Sequence, residues 1–264
     1  MENMKRKAAL ITGASGGIGK AIPLRLVAEG WDIGIHYRSS KQSAEEIAEK
    51  AENMGVSARL FQADATDISQ MQKMVRDFSA AFGRMDTLIN NVGVTVLRPF
   101  LEVDEALIDQ LTTVDFKTPY FTAQEAAKAM IAAGNGGVII NITSVQQQIN
   151  FPEASVYGSL KAALAKLTEH MAVELAPYEI RVNAIAPGYI NTSSDISPRA
   201  AYIQSRLPLQ RLGTGDDIAA MAAFLISDQA NYITGANMAV DGGMPLPSAA
   251  DNLYTPRVVT DKMG

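Results

Sequence analysis

The feature that most constrains how this chain can fold is a repeated alternation, in which short apolar runs are each followed by a longer amphipathic stretch. Strands are predicted at Ala8–Ile11, Ile33–Tyr37, Ala58–Gln62, Thr87–Asn90, Val138–Ile142, Arg181–Ala184 and Asn237–Val240. Helical spacing fills intervals at Ser43–Met54, Ser69–Phe82, Glu105–Ala132, Ser155–Ala176 and Asp216–Ile226. Such alternation implies an α/β fold whose parallel sheet is covered by helices on both faces. No repeat, low-complexity run or Pro/Gly/Ser-rich linker divides the chain, so residues 1–264 are read as one domain. Residues 1–6 form a flexible head in that reading, and 245–264 a C-terminal extension. Pro23 interrupts the first helical stretch, where its missing N–H predicts a kink or a distortion. The Pro-containing tail after Gly243 has no clear period; disorder and docking on a neighbouring subunit both remain open.

Composition narrows the chemistry. A net charge of −5 argues against a broad nucleic-acid footprint. The absence of cysteine excludes disulfides, thiolate catalysis and cysteine metal sites. With only two histidines, His36 and His170, a histidine-rich zinc site is not expected, and no metal is assigned. No apolar run approaches the roughly 20 residues of a membrane span. The stretch after the basic head is too short for a signal peptide, so a cytoplasmic protein is expected.

The first strand runs into Thr12-Gly13-Ala14-Ser15-Gly16-Gly17-Ile18-Gly19 and then a helix. Glycines let the backbone turn sharply and approach a pyrophosphate, while a helix N-terminus offers unpaired N–H donors. Placed after the first strand of an α/β pattern, this turn points to a dinucleotide. The second strand ends His36-Tyr37-Arg38-Ser39-Ser40, with no acidic residue to take an adenosine ribose. Arg38 and Ser39 suit a 2′-phosphate instead, so NADP(H) is the preferred cofactor and NAD(H) the alternative. Gly16 leaves the first loop without a second cation. Asp64 and Ala65 close the third strand; Asp64 can accept from an adenine amino group or cap a turn.

Downstream, Tyr157 and Lys161 stand four residues apart in a helical run, thirteen residues after Ser144 at a strand end. Residues four apart share a helix face. A cationic amine held beside a phenol lowers the phenol's pKa from about 10 toward working pH. Ser144 could then hold a carbonyl oxygen, which makes the set acid–base machinery for a ketone and its alcohol.

The glycine-rich turn, Asn90-Asn91-Val92-Gly93, Ser144, Tyr157-x3-Lys161 and Pro187-Gly188 occur in one order on one α/β chain. This conjunction resembles the short-chain dehydrogenase/reductase family over roughly residues 7 to 244. The resemblance implies a Rossmann-type doubly wound, seven-stranded parallel sheet with the cofactor along its C-terminal edge. It implies that Ser144 polarises the substrate oxygen, Tyr157 exchanges the proton, and Lys161 binds the nicotinamide ribose. Asn91, Val92 and Gly93 would lie along the cofactor, Pro187, Gly188 and Ile190 beside the nicotinamide, and Thr192 near its carboxamide. A homotetramer is also implied, with Ser155–Ala176 packing on its symmetry mate through Leu160, Ala163, Leu164, Leu167 and Met171.

One position departs from the pattern. Where the family usually carries an asparagine that supports a proton relay behind the lysine, this chain has Asp115, in Val114-Asp115-Phe116. A carboxylate keeps an acceptor but loses the amide donor, and ionised near Lys161 it would favour the charged amine. A retained but retuned relay is expected.

The substrate is less legible. Asn141 to Lys161, Tyr37-Arg38-Ser39 and Ala184 to Thr192 resemble bacterial glucose 1-dehydrogenases. Leu207 to Gly213 and Tyr232 to Gly235 resemble 3-oxoacyl-acyl-carrier-protein reductases equally. Lys128 is the only cation between Lys128 and Gly137, which offers little to an acidic carrier protein. A small carbonyl or alcohol of the sugar or polyol class is therefore preferred. Val94, Thr95, Gln146, Gln147, Phe151, Tyr189 and a flexible stretch Ser193–Pro208 are the expected substrate-facing residues. A catalytically silent, cofactor-binding scaffold is the competing reading from a different class.

Overall fold

The computed structural model describes residues 6–193 and 195–246. Seven strands, β1 (Ala8–Ile11), β2 (Asp32–Tyr37), β3 (Ala58–Gln62), β4 (Thr87–Asn90), β5 (Gly137–Ile142), β6 (Ile180–Pro187) and β7 (Asn237–Val240), form one sheet. Every neighbouring pair is parallel, in the order β3-β2-β1-β4-β5-β6-β7. The winding reverses between β1 and β4, and the crevice at the carboxyl ends of such a switch is where open α/β sheets bind ligands.

Alternating side chains along each strand supply the two faces. In β1, Ala9 and Ile11 join a core with α1 (Ala21–Ala28), α2 (Lys41–Asn53) and α8 (Gly215–Ile226). Ala8 and Leu10 point the other way, into a core with α3 (Ile68–Phe82), α5 (Thr118–Ala133) and α6 (Ser155–Leu175). Phe78 of α3 is fully buried there, a burial worth about 1.5–3 kcal/mol. Gly34 of β2 gives its ring room, since a Cβ at that position would lie 2.5 Å from Phe78 Cδ2.

Four sequence expectations change. Pro23 falls in the first turn of α1, where a helix has no N–H partner to lose, so it does not kink the helix; a 3₁₀ turn over Gly17–Lys20 precedes it instead. The helix expected over Glu105–Ala132 is interrupted: α4 (Glu105–Thr112) passes through a π-helical segment, Thr113–Lys117, before α5 begins. The sixth strand extends beyond Ala184 to Pro187, because its pairing with β7 continues to that residue. Ser193–Pro208 is not wholly irregular, since α7 spans Pro198–Arg206 behind a Ser197 cap. Pro198 at its start, with the Ser197 hydroxyl accepting from Ala200 N–H, is a helix signal that the sequence carries. Most of the head and of the C-terminal extension lies outside the described residues.

A buried polar chain sets α6 against the sheet. Asn90 Nδ2 donates to Asn141 Oδ1 at 3.0 Å, and Asn141 Nδ2 donates to the Thr168 hydroxyl at 2.9 Å. Thr122 of α5 donates to Asn90 Oδ1 at 2.7 Å. Each polar group is satisfied within the protein, so the network fixes where α6 sits over β5.

Candidate active site

The glycine-rich turn leaves β1 at its carboxyl end. Gly13 adopts φ 64°, a conformation that glycine takes without a steric cost. Thr12 Oγ1 accepts from the N–H groups of Asn91 and Val92 at 2.9 and 3.0 Å, tying the turn to the end of β4. Asn91 Nδ2 returns bonds to Thr12 O and Gly13 O at 3.0 and 3.2 Å. Asn91 is therefore a brace for the turn as well as a wall of the cleft.

One cleft of about 670 Å³ runs along this edge of the sheet. Gly13, Ser15, Gly16, Gly17 and Ile18 border it on the turn side, with Arg38, Ser39, Asp64 and Ala65 beyond. Asn91, Val92 and Gly93 form its floor. Ser144, Gln146, Tyr157, Lys161, Pro187, Gly188, Tyr189, Ile190 and Thr192 close the other end. Gly19 and Asp115, expected at the cofactor and proton-relay positions, lie behind the wall. Gly19 is packed beneath the turn, where a Cβ would collide with Gly13 O and Asn91 Nδ2. Asp64 takes the turn-capping role: its Oδ1 accepts from Thr66 N–H and Oγ1 at 2.9 and 2.8 Å, which hold the carboxyl below its ordinary range.

At the closed end, β5 delivers Thr143 and Ser144, and the first two turns of α6 carry Tyr157 and Lys161. Ser144 is largely buried, and its Oγ accepts from Gln146 N–H at 3.2 Å. The Lys161 ammonium lies 5.5 Å from the centre of the Tyr157 ring and donates to Ile142 O at 3.2 Å. Behind it stands Asp115, fully buried in the π segment, with Oδ1 3.1 Å from Lys161 Nζ. Val94 N–H donates to the other carboxylate oxygen at 3.4 Å. Burial pushes the Asp115 carboxyl above its ordinary range; the Lys161 charge and the Lys161 and Val94 bonds pull against that shift. Gly93 makes the pair possible, because a Cβ there would sit 2.8 Å from Asp115 Oδ1 and 3.1 Å from Lys161 Nζ.

Beside the end with Ser144, Tyr157 and Lys161, a smaller pocket of about 240 Å³ is shared by Ser144, Gln146, Phe151, Tyr189 and Arg199 among others. Val94 and Thr95 border the main cleft. Gln147 does not face substrate: its Oε1 accepts from Asn237 Nδ2 at 2.6 Å, and Asn237 Oδ1 lies 3.1 Å from the Thr143 hydroxyl. The second glutamine is thus used to brace β5 against β7. Its neighbour differs, for Gln146 Oε1 is buried with no hydrogen-bond partner among the described residues. Gln110 and Val114 also line the cleft and went unnoticed in sequence, because nothing local distinguishes them from other helical residues.

The family profile described as "Enoyl-(Acyl carrier protein) reductase" matches residues 13–245. The chain is 36% identical over 243 residues to the 3-oxoacyl-[acyl-carrier-protein] reductase FabG of Staphylococcus aureus, covering 90% of this chain and 98% of that one. It is also 36% identical to the L-rhamnose 1-dehydrogenase (NAD(P)(+)) of Azotobacter vinelandii, over 90% of this chain and 96% of the relative. Its fold is similar to the crystal structure of acetoin dehydrogenase YohF from Salmonella typhimurium, with a TM-score of 0.87, 37% identity, and coverage of 93% and 99%. A blue fluorescent protein from a metagenomic library, solved with NADPH, superposes with a TM-score of 0.86 at 34% identity, over 92% and 99% of the two chains. With a matching profile over most of its length and relatives covered nearly end to end, the chain belongs to the short-chain dehydrogenase/reductase family.

Proposed function

We propose that this oxidoreductase prefers NADP(H) and interconverts a secondary alcohol or hemiacetal with its carbonyl, acting on a small sugar- or polyol-like molecule. Gln146 carries the substrate class. Its Oε1 is buried and unpaired next to Ser144, and a buried acceptor without a partner costs about 1–3 kcal/mol. Gln146 also lines the cleft, so turning its amide toward the cleft would let a substrate hydroxyl adjacent to the reacting carbon satisfy that oxygen. The Azotobacter relative, named for a sugar substrate, is consistent with this class.

The residues divide the work. Ser144 donates a hydrogen bond to the substrate oxygen, and Tyr157 passes its proton to that oxygen in reduction or removes it in oxidation. Lys161 places its ammonium beside the Tyr157 ring, and Asp115 stands 3.1 Å behind it as its counter-charge. A nicotinamide cofactor, when bound, supplies the hydride in one direction and accepts it in the other. The residues present fit such a group: the glycine-rich turn borders the cleft from Gly13 to Ile18 at the switch point, and Arg38 and Ser39 border its far end.

Arg38 is exposed, with no ion pair among the described residues, so its guanidinium is free to meet a 2′-phosphate. Arg38→Ala is expected to raise KM for NADP(H) by about tenfold or more, as loss of charge-assisted bonds predicts, while KM for NAD(H) stays within about twofold. Equal changes for both cofactors in steady-state assays would remove the phosphate-binding role.

A 3-oxoacyl-thioester reductase is the second reading, favoured by the likeness to FabG. Against it, Lys128 is engaged by Glu125 at 2.8 Å, which leaves that surface short of a free cation for an acidic carrier. A panel of sugars, polyols and 3-oxoacyl thioesters, each with NADP(H) and NAD(H), separates the two by kcat/KM. A thioester preference of about tenfold, or 1.4 kcal/mol of transition-state discrimination, overturns the sugar or polyol assignment.

We also infer a homotetramer. In the single chain Leu164 is buried, but Leu160, Leu167 and Met171 of α6 are only partly covered and Ala163 is exposed, as are Tyr120 and Ile131 of α5. Light scattering after size exclusion should give a mass four times the 28.2 kDa of the chain; a mass of one chain at micromolar concentration refutes the assembly.

A further inference from the structure

His36 takes no part in the chemistry described above, yet its imidazole is 2% exposed and engaged at both nitrogens. Gly13 N–H donates to Nδ1 at 2.9 Å, and Nε2 lies 3.1 Å from Ala63 O. A main-chain N–H only donates and a carbonyl only accepts, so these two partners admit one state of the ring. That state is the neutral imidazole with its proton on Nε2. The main-chain carbonyl of His36 also accepts from Ala14 N–H at 3.0 Å. One residue of β2 thus holds two successive amides of the glycine-rich turn.

From this geometry we propose that His36 is a positioning residue that fastens the cofactor-binding turn, and that the turn is held in its binding shape only while the imidazole is neutral. The inference rests on the reading of this edge as a dinucleotide site. Protonation would set an N–H of the ring against the Gly13 N–H, turning a hydrogen bond into a repulsion. Among charged groups, Asp64 at the end of β3 faces the ring and favours its charged form. Arg38, two residues along β2, faces Asp64 in turn. Neither β1 nor the turn from Gly13 to Gly19 contributes a titratable group. Burial outweighs the Ala63 bond and the Asp64 charge and holds His36 below its ordinary value near 6.5. Since the bound shape needs the neutral ring, cofactor affinity is full at neutral pH. It falls as pH drops through that lowered value.

Two measurements on the full chain test this. The chain has only two histidines, and His170 is exposed, so His170→Gln assigns the ring signals of a ¹⁵N-histidine-labelled sample. At pH about 7.5, His36 should show the neutral Nε2–H tautomer; an Nδ1–H tautomer or a charged ring overturns the proposal. Second, the NADPH dissociation constant is followed by nicotinamide fluorescence from about pH 7.5 to one unit below the ring's own midpoint, read from the same wild-type signals, for wild type and His36→Asn. The asparagine oxygen can replace Nδ1 as acceptor and does not titrate. From neutral pH to one unit below that midpoint, wild type should weaken at least about fivefold more than the variant, a difference to which the cofactor's own phosphate contributes equally in both. Parallel profiles overturn the proposal. If His36→Asn fails to fold, the wild-type ring titration decides, because ring protonation and loss of affinity must then share a midpoint. Absence of NADPH binding by wild type at every pH would count against the cofactor assignment instead, and would leave the tautomer result standing.

Discussion

Tyr157→Phe should lower kcat/KM by roughly 10²–10⁴-fold, the range typical of a positioned acid–base group, with NADPH affinity within about threefold of wild type. The substitution removes one oxygen and leaves the ring that packs beside Lys161 Nζ, 5.5 Å from its centre. Nothing in the turn at Gly13 or in the Thr12–Asn91 brace depends on that oxygen. The loss should therefore fall on the chemical step. Because Tyr157 acts together with Ser144, adding Ser144→Ala to the variant should cost much less than it does in wild type. A Tyr157→Phe enzyme with undiminished turnover would mean that another group handles the proton. Combined loss of turnover and of NADPH binding would instead indicate a structural role.

The second large effect is expected at Asp115. A buried carboxylate 3.1 Å from a buried ammonium makes the local charge nearly zero, and removing one partner of such a pair typically costs about 3–5 kcal/mol. Asp115→Ala should thus lower the melting temperature markedly as well as activity. Asp115→Asn is the more informative change, because it keeps an acceptor for Lys161 and deletes only the negative charge. The positive charge of Lys161 would then act on the Tyr157 oxygen without compensation and favour the phenolate. We expect the acid limb of the oxidation profile to move to lower pH, by at least about half a unit, with kcat/KM at the optimum within about tenfold of wild type. The sign follows from the charge removed: the ionised Asp115 carboxylate offsets Lys161, and the variant lacks that offset at every pH, whereas burial pushes the native carboxyl upward so that it is lost only on acidification. As pH falls through its value, the wild-type site goes from neutral to positive, and the variant starts from the positive state. Superimposable pH profiles would show that Asp115 does not tune the relay.

The strand–helix alternation was legible because both patterns depend on burial: β1 is a short run buried on both faces, while burial in α3 repeats near 3.6 through Met71, Met74, Val75 and Phe78. Six of the seven predicted strands begin and end within one residue of those observed, and the sixth runs three residues further because its partner, β7, lies far along the chain. Local signals could not show the π segment at Thr113–Lys117. A π turn in a helical sequence reflects what the helix must reach, here the amine of Lys161, and leaves no distinct composition. The cleft was equally legible where glycine or paired side chains impose geometry, as at Gly13, Tyr157 and Lys161. It was illegible where function depends on which way a common residue turns. Gln146 and Gln147 are identical in sequence and adjacent, yet one is left unpaired by the cleft and the other is bound to Asn237. His36 read only as one of two histidines, because its partners, Gly13 and Ala63, contribute main-chain atoms that any residue possesses.

The central claim is that the Ser144, Tyr157 and Lys161 end of the cleft performs carbonyl–alcohol chemistry on a nicotinamide cofactor bound along Gly13 to Gly19. It is tested most directly by titrating the protein with NADPH while following nicotinamide fluorescence, then adding a panel of carbonyl compounds and recording loss of the reduced cofactor. Saturable binding, followed by turnover of at least one small hydroxylated carbonyl that Tyr157→Phe abolishes, is the predicted result. Binding without turnover of any ketone or alcohol, unchanged by Tyr157→Phe, would contradict it and leave a cofactor-binding scaffold.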